Sequence, residues 1–209
     1  MSDRANESYG QHGGTWVDRF GVWLSARAIR RAVPARGGLR VVELGCGYQA
    51  RHLISLYDRL AEGVAIDFKL APELRQRERL MLIEGPIEDA LPRLPEARYD
   101  VVLLISVLEH LGDPSAALAA IHRVLVPGGL LLVNVPTWRG KFFLELSAFK
   151  LGWSPRVEMD DHKMYYDKRD LWPLLVRAGF RPSAIKLNYH KFGLNLFACA
   201  IKGAEPTAS

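Results

Sequence analysis

The stretch VVELGCG, residues 41–47, places an acidic side chain and two glycines directly after an apolar run. Glycines at 45 and 47 allow a tight turn in which the backbone comes close to a ligand. One interpretation is Gly45-x-Gly47-x-x-Ala50, the fingerprint of dinucleotide-binding turns, which accept alanine at the third position. The pattern predicts a nucleotide-binding turn and leaves the identity of the nucleotide open.

Glu43 lies two residues before the first glycine, and its negative charge distinguishes between two candidate ligands, NAD and S-adenosylmethionine. In an NAD-dependent oxidoreductase this carboxylate would face the pyrophosphate and repel it. S-adenosylmethionine (SAM) has no phosphate, and its ammonium and sulfonium groups attract an acidic neighbour. Asp67, at the end of the next apolar run, can accept hydrogen bonds from both ribose hydroxyls of either ligand. Glu43 therefore favours SAM.

Length and composition narrow the class of protein. The chain has 209 residues, of which 49% are hydrophobic, and a formal net charge of +5. These values predict one domain with its own core, and a charge that suits an anionic substrate, nucleic acid or an anionic membrane surface. Two cysteines predict no disulfide framework, and the sequence shows no signal peptide and no membrane span. We expect a cytoplasmic protein.

Apolar runs alternate with helical patterns, and this alternation positions the chemical residues. Five runs predict buried parallel strands at 39–44, 63–67, 80–84, 99–106 and 130–136. Helical spacing or capping predicts helices over 53–60, 72–79, 113–126 and 167–178. Two last strands, 183–189 and 195–201, are close enough to form an antiparallel hairpin. The result is a doubly wound α/β sheet with its ligands at the carboxyl ends of the strands.

The order of these motifs resembles that of class I SAM-dependent methyltransferases, of the small-molecule or glycan-biosynthesis type found in bacterial biosynthesis. The resemblance covers roughly residues 39–201 and rests on VVELGCG (41–47), VAIDF (64–68), IEGPIEDALP (83–92), YDVVLLISVLEHLGDP (99–114), LVPGGLLLVNVPT (125–137) and LLVRAGF (174–180). It implies a Rossmann-like seven-stranded sheet whose last strand is antiparallel. It also implies SAM as the cofactor.

The resemblance assigns roles to individual residues. It implies that Gly45 and Gly47 flank the methionine part of SAM, and that Glu43 fixes the turn and the amino group. The remaining cofactor-binding residues that it implies are Asp67 for the ribose, Phe68, Ile87 and Glu88 for the adenine, and Ser106 for the ammonium group. The sequence departs from the family pattern at Gln49, where glycine is common, and at Pro86, where an adenine-contacting aspartate is common.

The acceptor is expected to meet a lid insert at about 138–166. Its first half mixes aromatic and basic residues, and its second half contains acidic, histidine and tyrosine side chains that can bind hydroxyls. Substrate-binding candidates are Trp138, Tyr165 and Tyr166. Methyl transfer to a hydroxyl is helped by a base, and histidine titrates near neutrality, so the catalytic candidates are His162 and His110. The predicted acceptor is a small molecule, a glycan or a lipid-linked compound carrying a hydroxyl or amine.

Domain organisation and three alternative functions complete the sequence-based expectations. We predict an N-terminal cap segment over 1–38, the methyltransferase domain over 39–203 and a flexible tail over 204–209. Trp16, Phe20 and Trp23 share one helical face and are expected to cover the core or the SAM pocket. The alternatives are an RNA methyltransferase, an NAD-dependent oxidoreductase and a non-catalytic SAM-binding protein. Nucleic acid and metal are not expected partners, peripheral membrane contact stays open, and the sequence does not predict an oligomeric state.

Overall fold

A seven-stranded sheet forms the centre of the molecule in the computed structural model, which describes residues 8–11, 16–140 and 164–204. The strands are β1 (Leu39–Leu44), β2 (Leu60–Asp67), β3 (Leu80–Glu84), β4 (Tyr99–Ile105), β5 (Leu125–Pro136), β6 (Ile185–His190) and β7 (Asn195–Ile201). Their order in the sheet is β3-β2-β1-β4-β5-β7-β6. β1 to β5 pair in parallel, and β7 runs antiparallel to both β5 and β6. The predicted α/β fold with an antiparallel last strand is confirmed.

Helices cover both faces of the sheet, because successive residues of each strand point to opposite sides. The helices are α1 (Trp16–Ala32), α2 (Arg51–Ile54), α3 (Ile87–Ala90), α4 (Pro114–Val124) and α5 (Lys168–Arg177). Val42 and Leu44 of β1 belong to one core together with residues of α4 and α5. Val41 belongs to the other core, together with residues of α1 and α2. The two cores hold the carboxyl ends of β1, β2, β4 and β5 rigidly along one edge.

Three predicted elements differ from the observed ones. The helix expected over 53–60 is the four-residue α2 followed by a 3-10 turn, and Leu60 already belongs to β2, where it pairs with Leu39. The apolar spacing reflects residues such as Leu56, which is buried although it lies after the end of α2. The segment expected to be a helix over 72–79 is a 3-10 turn at Pro72–Gln76. The PGG stretch lies inside β5, because Leu125 pairs with Tyr99 ahead of an irregularity in the register.

The aromatic residues of α1 do not cover the core. Trp16, Phe20 and Trp23 are 73%, 47% and 52% exposed, so their predicted packing on the core is wrong, whereas the alternative of a place over the SAM pocket stays a prediction. The inward face of α1 is occupied instead by Ser25 and Ile29, which lie on the opposite side of the helix and are buried. Within the part of the chain that the structure describes, no helix combines the length and hydropathy needed to cross a membrane.

Candidate functional site

The turn after β1 is built on two glycines that no other residue can replace without strain. Gly45 and Gly47 have φ angles of +67° and +71°, a region that L-residues with a side chain rarely adopt. A Cβ on Gly45 would lie 2.4 Å from Cγ2 of Val107, and one on Gly47 would lie 3.1 Å from the carbonyl oxygen of Tyr9. The turn is therefore confined between the loop after β4 and the segment at residues 8–11, at the carboxyl edge of the sheet.

Asp67 ends β2 beside this turn, and its carboxylate is held in one orientation. Oδ2 accepts a hydrogen bond from the backbone amide of Gly47 at 2.7 Å, and Oδ1 accepts one from the amide of Phe68 at 2.8 Å. The residue is only 8% exposed. Each carboxylate oxygen can accept more than one hydrogen bond, so the group still has lone pairs for a diol. The glycine turn and this fixed carboxylate fit the methionine and ribose parts of SAM.

Glu43 lies beneath the turn and is fully buried. Its Oε1 is 2.9 Å from Nδ1 of His52, and its Oε2 accepts a hydrogen bond from the amide of Leu53 at 2.9 Å. The carboxylate thus ties β1 to α2, which is an arrangement that fixes the path of the chain around the glycines. Its predicted contact with the amino group of SAM stays a prediction.

The residues predicted at the adenine edge lie around the same turn. Phe68 is 39% exposed, and Glu88 is exposed in the first turn of α3. Ile87 is half-buried, and its Cδ1 is 3.4 Å from the position that a Cβ on Gly45 would occupy. Pro86 precedes α3 in an extended conformation and has no amide hydrogen to donate. The contacts of these side chains with adenine remain predictions.

Ser106, at the end of β4, has a strained backbone. Its φ of +56° is unusual for a residue with a side chain, and such strain concentrates at functional sites. Its amide donates a hydrogen bond to the carbonyl of Asn134 at 2.7 Å, and Nδ2 of Asn134 donates one to its Oγ at 3.3 Å. Asn134 is fully buried, and its Oδ1 has no hydrogen-bond partner in the described residues. Sequence reasoning missed Asn134, because it reads as one polar residue inside an apolar strand.

A buried polar cluster follows Ser106 on the side where β4 and β5 end. Glu109 is 1% exposed, and neither of its carboxylate oxygens has a hydrogen-bond partner in the described residues. Burial raises the pKa of Glu109 to about 8, and Lys191 is close enough for its charge to oppose that shift. Burial lowers the pKa of Lys191 to about 8, against the attraction of Glu109. Such paired shifts at one place mark a functional-site candidate.

Lys191 is placed by a strained turn between β6 and β7. Lys191 and Phe192 have φ angles of +49° and +60°, and Gly193 follows them at +86°. The hydroxyl of Thr137 donates a hydrogen bond to the carbonyl of Gly193 at 2.8 Å, which fixes the turn against the end of β5. Sequence reasoning assigned no catalytic or binding role to Glu109 or Lys191. The available signal was Glu109 within LEH, whereas Lys191 is brought to the site only by the hairpin.

The predicted substrate-binding and catalytic residues differ in their exposure to solvent. Trp138 is 51% exposed, and its ring centroid is 5.5 Å from that of Tyr165, which is buried. Tyr166 is fully buried, and burial, with Glu109 nearby, raises its pKa to about 12. His110 is exposed at the end of the LEH turn. His162 and most of the predicted lid lie outside the described residues, and their roles stay predictions.

Comparison with known proteins agrees with the geometry of the turn. A family described as a methyltransferase domain matches residues 17–184. A ubiquinone biosynthesis O-methyltransferase of Rhodopseudomonas palustris is 30% identical over 127 residues, which are 57% of this chain and 49% of that protein. A probable S-adenosylmethionine-dependent methyltransferase of Mycolicibacterium smegmatis is 38% identical over 124 residues, 58% of this chain and 45% of that protein. The chain thus spans about half the length of these curated relatives.

Solved structures show the same fold at low sequence identity. A SAM-dependent methyltransferase of Thermotoga maritima aligns with a TM-score of 0.64 and 18% identity over 89% of this chain and 91% of that one. A SAM-dependent methyltransferase of Mesorhizobium loti aligns with a TM-score of 0.61 and 16% identity, over 87% of this chain and 100% of that one. With the family match over residues 17–184, these findings confirm the resemblance seen in the motifs. The chain belongs to the class I SAM-dependent methyltransferase family.

Proposed function

We propose that this protein transfers the methyl group of SAM to a hydroxyl of a small acceptor. The observation that carries the proposal is the pair formed by the buried Glu109 and the partly buried Lys191, which lie after the end of β4 and beside the end of β5. A hydroxyl must lose its proton as its oxygen attacks, so a proton acceptor is needed there. Relatives named O-methyltransferases support the same choice.

The donor half of the site is formed by the turn after β1 and by Asp67. When bound, SAM supplies an electrophilic methyl group on its sulfonium. Gly45 and Gly47 let the backbone approach the donor, and the Asp67 carboxylate, held by the Gly47 amide, accepts from the ribose hydroxyls. Orienting the donor in this way contributes to the rate through proximity and alignment.

The acceptor half holds the groups that can move a proton. Lys191 is partly buried, whereas Glu109 is buried almost completely. A pKa of about 8 gives Lys191 a useful fraction of neutral amine near neutral pH, and a charged Glu109 would raise that pKa. His110 is exposed beside Glu109 and is a second proton acceptor. His162 remains the catalytic candidate of the sequence analysis.

The proposal also specifies the size of the acceptor, which we expect to be a small molecule. The half-exposed ring of Trp138, which packs against the buried ring of Tyr165, offers an apolar surface just after the end of β5. A ring or chain of a small molecule packs well on such a surface. Glycan and lipid-linked hydroxyl acceptors remain within the proposal.

Incubation with SAM that carries an isotope-labelled methyl group tests the proposal. The purified protein is given a catechol, a primary alcohol, a primary amine and a bacterial metabolite extract, and products are identified by mass spectrometry. We expect the label on an oxygen of at least one compound. Label that appears only on nitrogen, or no transfer to any compound by a protein that binds SAM, would overturn the proposal.

A further inference from the structure

The outward side of α1 carries a stripe that the fold does not use. Six exposed side chains share it: Trp16, Arg19, Phe20, Trp23, Arg27 and Arg31. Their spacings of three and four residues bring them onto one face of the helix, which we call the outward face. The opposite face packs on the core through Ser25 and Ile29. Large apolar side chains grouped on a surface mark a contact with something outside the chain.

The charge of the outward face identifies its partner. α1 contains four arginines and one acidic residue, Asp18. Arg30 pairs with Asp58 at 2.7 Å, whereas Arg19, Arg27 and Arg31 form no ion pair with any described residue. Aromatic rings among arginines suit the headgroup region of a bilayer, where rings lie at the level of the headgroups and guanidinium groups contact lipid phosphates.

We propose that the outward face of α1 docks the protein onto a membrane surface that contains anionic lipids. A second copy of the chain is a poor partner, because two arginine-bearing faces repel each other. Nucleic acid is also disfavoured. Phe20 and Trp23 already stack at 5.8 Å between centroids, and Arg27 lies over the Trp23 ring at 5.7 Å, so Trp23 has less ring surface on which a base could stack.

The proposal goes beyond methyl transfer and does not depend on it. None of the residues that form or hold the glycine turn, Glu43, Gly45, Gly47 and Asp67, belongs to the outward face. Variants on the outward face are therefore expected to keep their affinity for S-adenosylhomocysteine.

Vesicle flotation tests the proposal with the full chain. One set of vesicles contains phosphatidylcholine alone, and the other also contains phosphatidylglycerol. The variants are Phe20→Ser with Trp23→Ser, and Arg19→Gln with Arg31→Gln. The matched control is Trp172→Ser, which removes a ring of α5 that is 39% exposed. Melting temperature and S-adenosylhomocysteine binding show whether each variant is folded.

We expect the wild-type chain to float with phosphatidylglycerol vesicles, more weakly at high salt, and its tryptophan emission to shift to the blue. Both double variants are expected to bind the vesicles at least about tenfold more weakly than the wild-type chain. The Trp172→Ser control is expected to bind as the wild type does. Three results would overturn the proposal: no binding to either vesicle, unchanged binding by both folded double variants, or self-association or RNA retention through this face without vesicle binding.

Discussion

Replacing Asp67 by asparagine tests the donor half of the site with the smallest change in shape. The carboxylate makes two backbone hydrogen bonds in the structure, from the amides of Gly47 and Phe68. Asparagine keeps one acceptor oxygen and directs an NH₂ group at the other amide, which has no acceptor to offer. The substitution therefore removes the negative charge from the proposed ribose contact and weakens one bond of the turn. Alanine would remove both bonds and confuse the two effects.

The expected loss of SAM affinity follows from the hydrogen bonds at stake. Hydrogen bonds to charged groups contribute about 1.5–3 kcal/mol each and are not additive, so two ribose contacts predict a loss of about 2–4 kcal/mol. This corresponds to an increase in Kd of about 30- to 1,000-fold. The turn itself loses one hydrogen bond to a charged group, about 1.5–3 kcal/mol, which for a chain of this size lowers Tm by about 3–12 °C.

Calorimetric titration with S-adenosylhomocysteine measures the affinity, and thermal unfolding measures the stability. Asp58→Asn is the matched control, because Asp58 lies just before the opposite end of β2 and pairs with Arg30 far from the glycine turn. We expect the control to bind as wild type. Unchanged affinity in a folded Asp67→Asn variant would refute the reasoning, because the carboxylate would then serve only the turn.

Three further predictions address the rest of the site. Gly45→Ala is expected to abolish SAM binding and to lower Tm. The added Cβ would lie 2.4 Å from Val107 Cγ2, and residue 45 has a φ of +67° that alanine rarely adopts. Normal SAM binding in calorimetry would contradict this prediction. The raised pKa of Glu109, about 8, means that the folded state holds a proton that the unfolded state releases near pH 4.5. The free energy of unfolding, measured in urea, should therefore fall as pH rises from about 5 to 8, by at most about 1.4 kcal/mol per pH unit more than in the Glu109→Gln variant. An equal pH dependence of the unfolding free energy in both proteins would contradict this prediction. His162→Ala is expected to lower turnover by about 100- to 10,000-fold with unchanged S-adenosylhomocysteine affinity, and near-normal turnover would remove His162 from the mechanism.

The sheet could be predicted from the sequence because each strand carries its own local signal. The run from Val101 to Ile105 is apolar without interruption, as expected for a strand covered on both faces, and all of it is buried. The capping role of Asp113 was also local, and its side chain accepts from the amide of Ala116 as predicted. Elements between β1 and β2 were predicted less well, because the apolar spacing of a buried loop resembles that of a helix.

The donor and acceptor halves of the site differ in how far the sequence reveals them. Gly45, Gly47 and Asp67 stand in a motif with fixed spacing, and the structure brings Asp67 into contact with Gly47. Glu109 and Lys191 are 82 positions apart along the chain and interact only because the β6–β7 turn lies against the end of β5. No local pattern encodes such a contact. The outward aromatic face of α1 was predicted to be inward for a related reason, since periodicity identifies a face without saying what it contacts.

Titration of the purified chain with SAM, S-adenosylhomocysteine and NAD tests the central claim most directly. The glycine turn alone fits either type of ligand, whereas the buried Glu43 and the four-residue α2 provide no site for a pyrophosphate. We predict saturable binding of SAM and S-adenosylhomocysteine, one molecule per chain, and no measurable heat with NAD. Saturable NAD binding, together with no binding of SAM or S-adenosylhomocysteine by the folded protein, would contradict the account.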